Sequence, residues 1–490
     1  MQTFAARCAL PFALLLSAAA LADASPKATV PITTSSAEAR ALFVQGRDLV
    51  DRLRGTDARA LFEKAVAKDP QFATAWLGLA NTAQTNRGFF EALGKAVELA
   101  DKTSEGERLA ILAAQAGATS DPAGAQQRLE RVVELFPNDE RAVTALGNFY
   151  FGRQEWSKAV KLLQRATELA PAWSPPYNQL GYSYRFQDDY PAAEKAFRRY
   201  TEVLPQDPNP YDSYAELLMK LGRFEESITN YQKALANDPN FVSAYIGIAF
   251  DQMMLGRGDA ARGTLHKLRD AVARTDGERR QACFWIAESF VHEGRFPEAL
   301  AAVAEEEAIA KKADDQGSRA QDQNFMGNLL LQAGKTAEAA KKFEQSVATL
   351  AKAKVPPAVK EAARRNHRFD AARVALAKGD LKTAEAQAAA YRSEVEAKQV
   401  LFEVWRADEL AGMIALAKKD WDGALTALAR SNPRDPRVVY LSAVALAGKG
   451  DQAGAQAAAR RAADYNEITN ANYAYVRADA RKMLQRSDKG

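Results

Sequence analysis

The segment YNQLGYSYRFQDDYPAAEKAFRRYTEVLP, residues 177–205, places large, small and aromatic residues at regular positions. Its first apolar positions recur at i, i+3, i+4 and i+7, a spacing that places them on one face of a helix: Tyr177, Leu180, Gly181 and Tyr184. A polar turn follows, and Ala193, Phe197 and Tyr200 mark the inner face of a second helix. Pro205 ends that helix, because proline has no N–H group to continue the hydrogen-bond ladder. The segment therefore predicts a pair of antiparallel helices.

The same order of residues recurs on both sides of this segment. A shift of 34 residues in either direction aligns Gly181 with Gly147 and Ala215. The other marked positions follow the same period: Tyr184 with Tyr150 and Leu218, Ala193 with Ala159 and Ser227, Phe197 with Leu163 and Tyr231, and Pro205 with Pro171 and Pro239. The units also share an aromatic residue at the start of the second helix: Trp156, Tyr190, Phe224, Phe296 and Trp421. Such a period predicts a repeat protein.

This pattern resembles the tetratricopeptide repeat family, whose units carry Leu-Gly and an aromatic residue in the first helix, then a central Ala, a Phe and a closing Pro. Weaker copies extend over most of the chain, about eleven units in all. The resemblance implies an all-α fold, a right-handed solenoid of antiparallel helix pairs. Each pair would pack on its neighbours and leave one continuous concave surface.

The repeat spacing loosens near residues 270–280 and 351–369, and these stretches are the predicted joints between repeat segments. The resulting prediction has five parts: a signal peptide (1–22), a linker (23–38), an N-terminal repeat segment (39–270), a middle repeat segment (278–350), and a degenerate, Ala-rich repeat segment with a capping helix (365–490).

The N-terminal residues are typical of a secretory signal peptide. Arg7 precedes an apolar run at residues 8–21, and small residues suited to a peptidase follow at Ala22 and Ala24. The run is short for a membrane span, although a retained N-terminal anchor remains the alternative. No later segment is long and apolar enough to span a bilayer. We therefore expect a periplasmic or secreted protein without a membrane span in the mature chain.

The composition argues against nucleic acid as a partner, because a net charge of +4 over 490 residues is a small basic excess. Motifs for catalysis are also missing. The three histidines, His266, His292 and His367, lie in different units and lack the spacing of metal ligands. The sequence therefore predicts no catalytic, metal or cofactor site. An enzyme with an unrecognised site in the C-terminal half is the alternative.

In the family, partner-binding residues lie on the first helix of each unit, next to the packing positions. Carried onto this chain, the resemblance implies these groove-facing residues: Arg141, Asn148, Phe151, Asn178, Tyr182, Arg185, Asp212, Glu216, Phe250 and Met253. Amides can bond a peptide backbone, and aromatic residues and methionine offer adaptable apolar contact. The family's carboxylate-binding lysines are missing, so chaperone-type carboxylate binding is not expected. The prediction is an exported, non-catalytic scaffold for protein or peptide partners, with envelope assembly or polysaccharide export as a more specific alternative.

Overall fold

The computed structural model describes residues 29–83, 86–119, 121–353, 355, 357–398, 401–468 and 471–487. The predicted signal peptide at residues 1–22 lies outside these ranges. The chain divides into two compact units, Met1–Gln187 and Asp188–Gly490. The described residues of both units are helical or in turns, and none of them forms a β-strand.

The first unit consists of helices of 9 to 14 residues joined by short turns. They are α1 (Ala37–Val50), α2 (Gly55–Lys68), α3 (Ala73–Asn81), α4 (Asn86–Leu99), α5 (Glu105–Ala118), α6 (Pro122–Leu135), α7 (Glu140–Gly152), α8 (Trp156–Leu169) and α9 (Pro175–Phe186), with a 3₁₀ turn at Ala100–Lys102. Side chains before the helices cap them: Ser104, for example, forms a capping box with Glu107 at the start of α5.

The second unit continues the alternation with helices of 10 to 21 residues. They are α10 (Tyr190–Val203), α11 (Pro208–Lys220), α12 (Phe224–Asn237), α13 (Val242–Met254), α14 (Gly258–Lys267), α15 (Asp276–His292), α16 (Phe296–Lys312), α17 (Gln316–Gln332), α18 (Thr336–Lys352), α19 (Pro357–Ala377), α20 (Leu381–Lys398), α21 (Leu401–Ala417), α22 (Trp421–Arg430), α23 (Pro436–Lys449), α24 (Gln452–Ala463) and α25 (Asn472–Ser487), with a π turn at Leu268–Val272. The starts of α16, α18, α20 and α22 lie 40, 45 and 40 residues apart, so the 34-residue period is not kept there.

The predicted packing positions form the core of the helix pairs. Ala193 and Phe197 on α10 are buried, and Gly327 on α17 lies directly against the Phe343 ring of α18. A Cβ atom at Gly327 would come within 2.6 Å of that ring, so only a residue without a side chain allows this approach. The five aromatic residues predicted to start second helices are the first residues of α8, α10, α12, α16 and α22. The prediction of an all-α helix-pair solenoid is confirmed.

In the second unit, the first helices of successive pairs line the inner face. Helix α11 contacts α13 and α13 contacts α15, while α19 contacts α21 and α21 contacts α23. Helix α25 packs on the last pair, where Ala480 contacts Ala462 and Ala463. It also reaches back to α15, which the repeat pattern did not predict.

Candidate partner-binding sites

The centre of the inner face of α11, α13 and α15 is filled by the chain itself. The filling segment, which we call the C-terminal tail, comprises residues 465–468 and 471–487. The Tyr473 ring lies 5.3 Å from the ring of Phe250 and 6.4 Å from that of His292, measured between centroids. Phe250 and Met253, predicted to face an open groove, are 0% and 1% exposed. A partner could reach them only if the tail moved.

Polar contacts hold the start of the tail on α11. Lys220, at the end of α11, forms an ion pair with Glu467 and lies 5.6 Å from the centroid of the Tyr465 ring. Within the tail, Arg477 donates to the backbone carbonyl of Tyr465 at 3.2 Å and to Asn466 Oδ1 at 3.1 Å. Arg477 on α25 therefore stabilises the turn that precedes this helix.

Two predicted groove residues remain beside a cavity at the edge of the tail. Asp212 and Glu216, one turn apart on α11, line a cavity of about 420 Å³ together with Trp285 and Ile468 of the tail. Burial and the neighbouring Glu216 raise the pKa of Asp212 well above its ordinary value. The tail, through Ile468, thus forms one wall of this acidic cavity.

The interface between α15 and the tail contains buried polar atoms without hydrogen-bond partners among the described residues. They include both carboxyl oxygens of Glu288, the hydroxyl of Tyr473 and Nδ1 of His292. Burial raises the pKa of Glu288 to about 8, so at neutral pH the carboxyl is mostly protonated. Burial, with Arg477 and Arg481 nearby, lowers the pKa of His292 to about 4. Unsatisfied groups of this kind weaken an interface.

In the first unit, the predicted groove residue Arg141 is held within the chain. Its guanidinium donates to both carboxylate oxygens of Asp51, at 3.1 and 2.6 Å, and lies 4.7 Å from the centroid of the Trp173 ring. Trp173 Nε1 also donates to Asp51, at 2.9 Å. Arg141 therefore joins the end of α1 to the start of α7.

The other predicted groove residues of the first unit differ in their surroundings. Asn148 on α7 is exposed, whereas Asn178 on α9 is buried and its Oδ1 has no hydrogen-bond partner among the described residues. Phe151 packs against the aromatic ring that starts α8, with centroids 5.1 Å apart. Tyr182 and Arg185 are half-buried on α9. The Arg185 guanidinium lies 5.9 Å from the centroid of the Tyr182 ring. Partner binding by these residues stays a prediction.

The end of the predicted linker is bound to the first unit. The backbone N–H of Val30 donates to Asp139 at 2.7 Å, and that of Thr33 donates to Glu107 at 2.9 Å. Ser36 then caps α1. Residues 30–36 thus run across the starts of the inner helices rather than standing apart from them.

A cavity of about 380 Å³ opens on the inner face of α17, α19, α21 and α23, and we call it the chamber. Five amides line it: Gln321, Asn324, Asn328, Asn432 and Asn472. Six aromatic residues line it: Phe284, Phe325, Phe369, Phe402, Trp405 and Tyr475. Its arginines lie on three successive inner helices: Arg373, Arg406 and Arg437. One wall belongs to α25, through Asn472 and Tyr475.

A chain of hydrogen bonds orients the amides of α17 toward α19. Arg373 donates to Asn328 Oδ1 at 2.6 Å, Asn328 donates to Asn324 Oδ1 at 3.0 Å, and Asn324 donates to Asp370 at 2.9 Å. Burial and, to a smaller extent, the positive charge of the nearby Arg437 lower the pKa of Arg373 to about 10. A shared network of this kind fixes side chains before any ligand arrives.

Sequence reasoning missed the chamber because it followed the best-aligned repeats, which end near residue 256. Helices α17–α21 are 17 to 21 residues long, and the family's marks are sparse from there onward. The available signal was the set of Asn and Arg residues at inner positions of α17, α19 and α21, such as Asn324, Arg373 and Arg406. Without a register for these repeats, nothing in the sequence distinguished them from a solvated face.

The described part of the chain contains neither a metal-ligand cluster nor a candidate membrane span. His, Cys, Asp and Glu side chains nowhere gather there in a group that could hold a metal ion. None of the described helices combines the length and apolar character needed to cross a membrane. Cys283 is buried in α15, and burial raises the pKa of its thiol to about 11.

Comparison with known proteins identifies the class. Family models described as tetratricopeptide repeats match residues 43–102 and 114–181, and one described as a TPR repeat matches residues 215–256. The chain is a tetratricopeptide repeat protein. Proteins of this family are typically non-catalytic interaction scaffolds. The matched residues end before the chamber begins.

Solved structures with similar repeats cover only part of the chain. The crystal structure of MamA is 22% identical over 31% of this chain and 89% of its own, with a TM-score of 0.29. YrrB, described as a TPR protein with an unusual peptide-binding site, is 17% identical over 37% and 91%, with a TM-score of 0.29. A tetratricopeptide repeat protein from Parabacteroides merdae ATCC 43184 is 15% identical over 59% and 100%, with a TM-score of 0.34. No curated protein matches the chain.

Proposed function

We propose that the protein is a non-catalytic scaffold that binds a segment of a protein or peptide partner in the chamber of its second unit. The observation that carries the proposal is the contrast between two inner faces. On the face of α11, α13 and α15 the C-terminal tail covers the aromatic centre at Phe250 and leaves an acidic cavity beside it, whereas the chamber is open and lined by amides and aromatic residues.

The lining of the chamber suits a peptide better than a small reactive substrate. Amide side chains can donate to and accept from a peptide backbone, and aromatic faces bury apolar side chains with little loss of conformational entropy. A volume of about 380 Å³ lies within the range of small-ligand pockets. It would therefore hold a short segment of a partner rather than a folded domain.

The experiment uses a pair of neighbouring side chains as its internal control. Leu401 and Phe402 start α21 and are equally exposed, at 60% each, but only Phe402 lines the chamber. Full-length protein, Phe402→Ala and Leu401→Ala would be incubated with a bead library of random heptapeptides, and the retained peptides would be sequenced and titrated.

We expect Phe402→Ala to weaken the selected peptides about tenfold, the effect of losing one aromatic anchor at an interface. Leu401→Ala should bind as the wild type does. Equal binding by all three proteins, or no retained peptide at all, would rule out the chamber as the site.

We further propose that the protein is exported, on the strength of Arg7, the apolar run at residues 8–21 and the small residues after it. Cell fractionation with N-terminal sequencing tests this. The expected product lies outside the cytoplasm and starts after Ala22 or Ala24. A cytoplasmic protein that retains Met1 would contradict it.

A further inference from the structure

The three arginines of the chamber have unequal partners. Arg437 forms an ion pair with Glu409, and Arg373 lies 3.5 Å from Asp370. Arg406 donates to the neutral Asn366 Oδ1 at 3.0 Å, and its guanidinium stacks 3.9 Å from the centroid of the Phe369 ring. Within the part of the chain that the structure describes, Arg406 forms no ion pair with a carboxylate.

Two further acidic groups, Asp435 in the chamber lining and Asp370 beside the chamber, are already engaged. Asp370 accepts from Asn324 at 2.9 Å, and Asp435 accepts from Asn472 at 2.7 Å and from the backbone N–H of Arg437 at 2.8 Å. These bonds hold both carboxylates in place. The positive charge of Arg406 is thus left without a charged partner in a partly buried position.

Arg406 is also placed where a ligand can meet it. It lines the chamber and, in addition, an adjoining cavity of about 370 Å³ between α17, α18 and α19. Stacking on Phe369 fixes the plane of the guanidinium, so its free N–H groups keep one direction. An arginine held in this way presents parallel donors that match the two oxygens of a carboxylate.

We propose that the chamber selects a peptide segment that carries a carboxylate, and that Arg406 binds that carboxylate. The proposal rests on the proposed function, because it specifies the ligand of the same chamber. Amides beside Arg406, among them Asn324 and Asn432, line the same chamber and can bond the peptide backbone next to the carboxylate. The carboxylate can come from an Asp or Glu side chain or from a chain end.

The test compares two libraries of acetylated random heptapeptides on beads, one amidated at the C-terminus and one with a free carboxylate. Full-length wild type, Arg406→Gln and Arg364→Gln would be compared. Arg364 lies exposed on α19, so its substitution removes the same charge without touching the chamber. The best peptide would then be titrated against its Glu→Gln analogue, or against its amidated form.

We expect acidic residues to be enriched several-fold among the amidated peptides retained by the wild type. Arg406→Gln should weaken the acidic peptide about tenfold, the usual effect of losing one charge-assisted hydrogen bond, and leave the Gln analogue unchanged. Arg364→Gln should bind as the wild type does. Selection of the free-carboxylate library alone, with the same dependence on Arg406, would identify the chain end as the source.

Two outcomes would overturn the proposal in distinguishable ways. If retention depends on Phe402 but acidic and neutral peptides lose affinity equally in Arg406→Gln, the carboxylate inference fails and the proposed function stands. If no retained peptide depends on Phe402, both fail. Arg406→Lys, which keeps the charge, covers the case in which Arg406→Gln unfolds: it should retain the preference for acidic peptides.

Discussion

The inner face of α11, α13 and α15 and the chamber on α17, α19, α21 and α23 are built from the same kind of helix pair, yet the C-terminal tail packs across the aromatic centre of the first and forms only one wall of the second. In the first, Tyr473 of the tail packs on Phe250 and buries it completely. In the second, Phe402 remains 60% exposed. The repeat therefore supplies an inner surface, and the path of the C-terminal tail determines which part of that surface stays exposed.

The largest expected effect breaks the filled face directly. Tyr473→Ala removes a fully buried aromatic side chain, and we expect it to lower the free energy of unfolding of the second unit by about 3–5 kcal/mol. Phe402→Ala, in the open chamber, should change it by less than about 0.5 kcal/mol. Thermal unfolding followed by circular dichroism would measure both. Similar losses in the two variants would contradict the contrast between the faces.

The second prediction tests whether helix packing is the same beneath both faces. Gly247→Leu, whose Cβ would come within 2.1 Å of Tyr231, and Gly327→Leu, within 2.6 Å of Phe343, should each cost about 1–3 kcal/mol through overpacking. Gly263 on α14 faces open space, so Gly263→Leu is the control and should not destabilise the protein. The melting temperatures of the three variants and the wild type would be compared. An unchanged value for either packed glycine would show that the repeats do not pack as described.

The third prediction concerns pH and the interface of the tail with α15. The pKa of Glu288 is about 8 in the folded protein and ordinary, near 4.5, in the unfolded chain, so the folded state holds this proton more tightly. The contribution of Glu288 to stability is therefore largest below about pH 4.5 and falls as the pH rises toward 8.

Glu288→Gln keeps the neutral shape and should remove this dependence. We expect it to differ little from the wild type near pH 5 and to become the more stable of the two proteins as the pH rises to 8. Asp251, whose pKa burial also raises to about 8, titrates in both proteins and cancels in the difference. The melting temperature of both proteins would be measured from pH 5 to 8. A constant difference between them over this range would show that Glu288 does not cause the pH dependence.

The smallest expected effect lies in the first unit, where the predicted groove residue Arg141 pairs with Asp51. Arg141→Gln should cost about 1 kcal/mol, since both partners are largely shielded from solvent. Arg52→Gln, which removes an exposed arginine next to Asp51, is the matched control and should cost nothing measurable. The coupling can be measured with Asp51→Asn in a double-mutant cycle. Additive losses would mean that the pair contributes no stability.

Much of the fold could be predicted because the packing marks are local. Pro191 falls in the first turn of α10, as expected for a residue that lacks an N–H group, and Gly147 lies against Leu163 within one helix pair. The candidate sites could not be predicted in this way. Phe250 and Phe402 are both aromatic residues on inner helices, and neighbouring sequence does not reveal that one is covered by a tyrosine more than 200 positions later.

By itself, the sequence determined the helix pairs, the small and aromatic residues that join them, and the class of repeat. The physical reason is that each unit packs on residues one period away, so the pattern is written into every copy. Only the tertiary structure decided that the C-terminal tail packs across the inner face of α11, α13 and α15 and that the chamber stays open with Arg406 lacking a carboxylate partner among the described residues. Those features depend on contacts between distant units, which no period encodes.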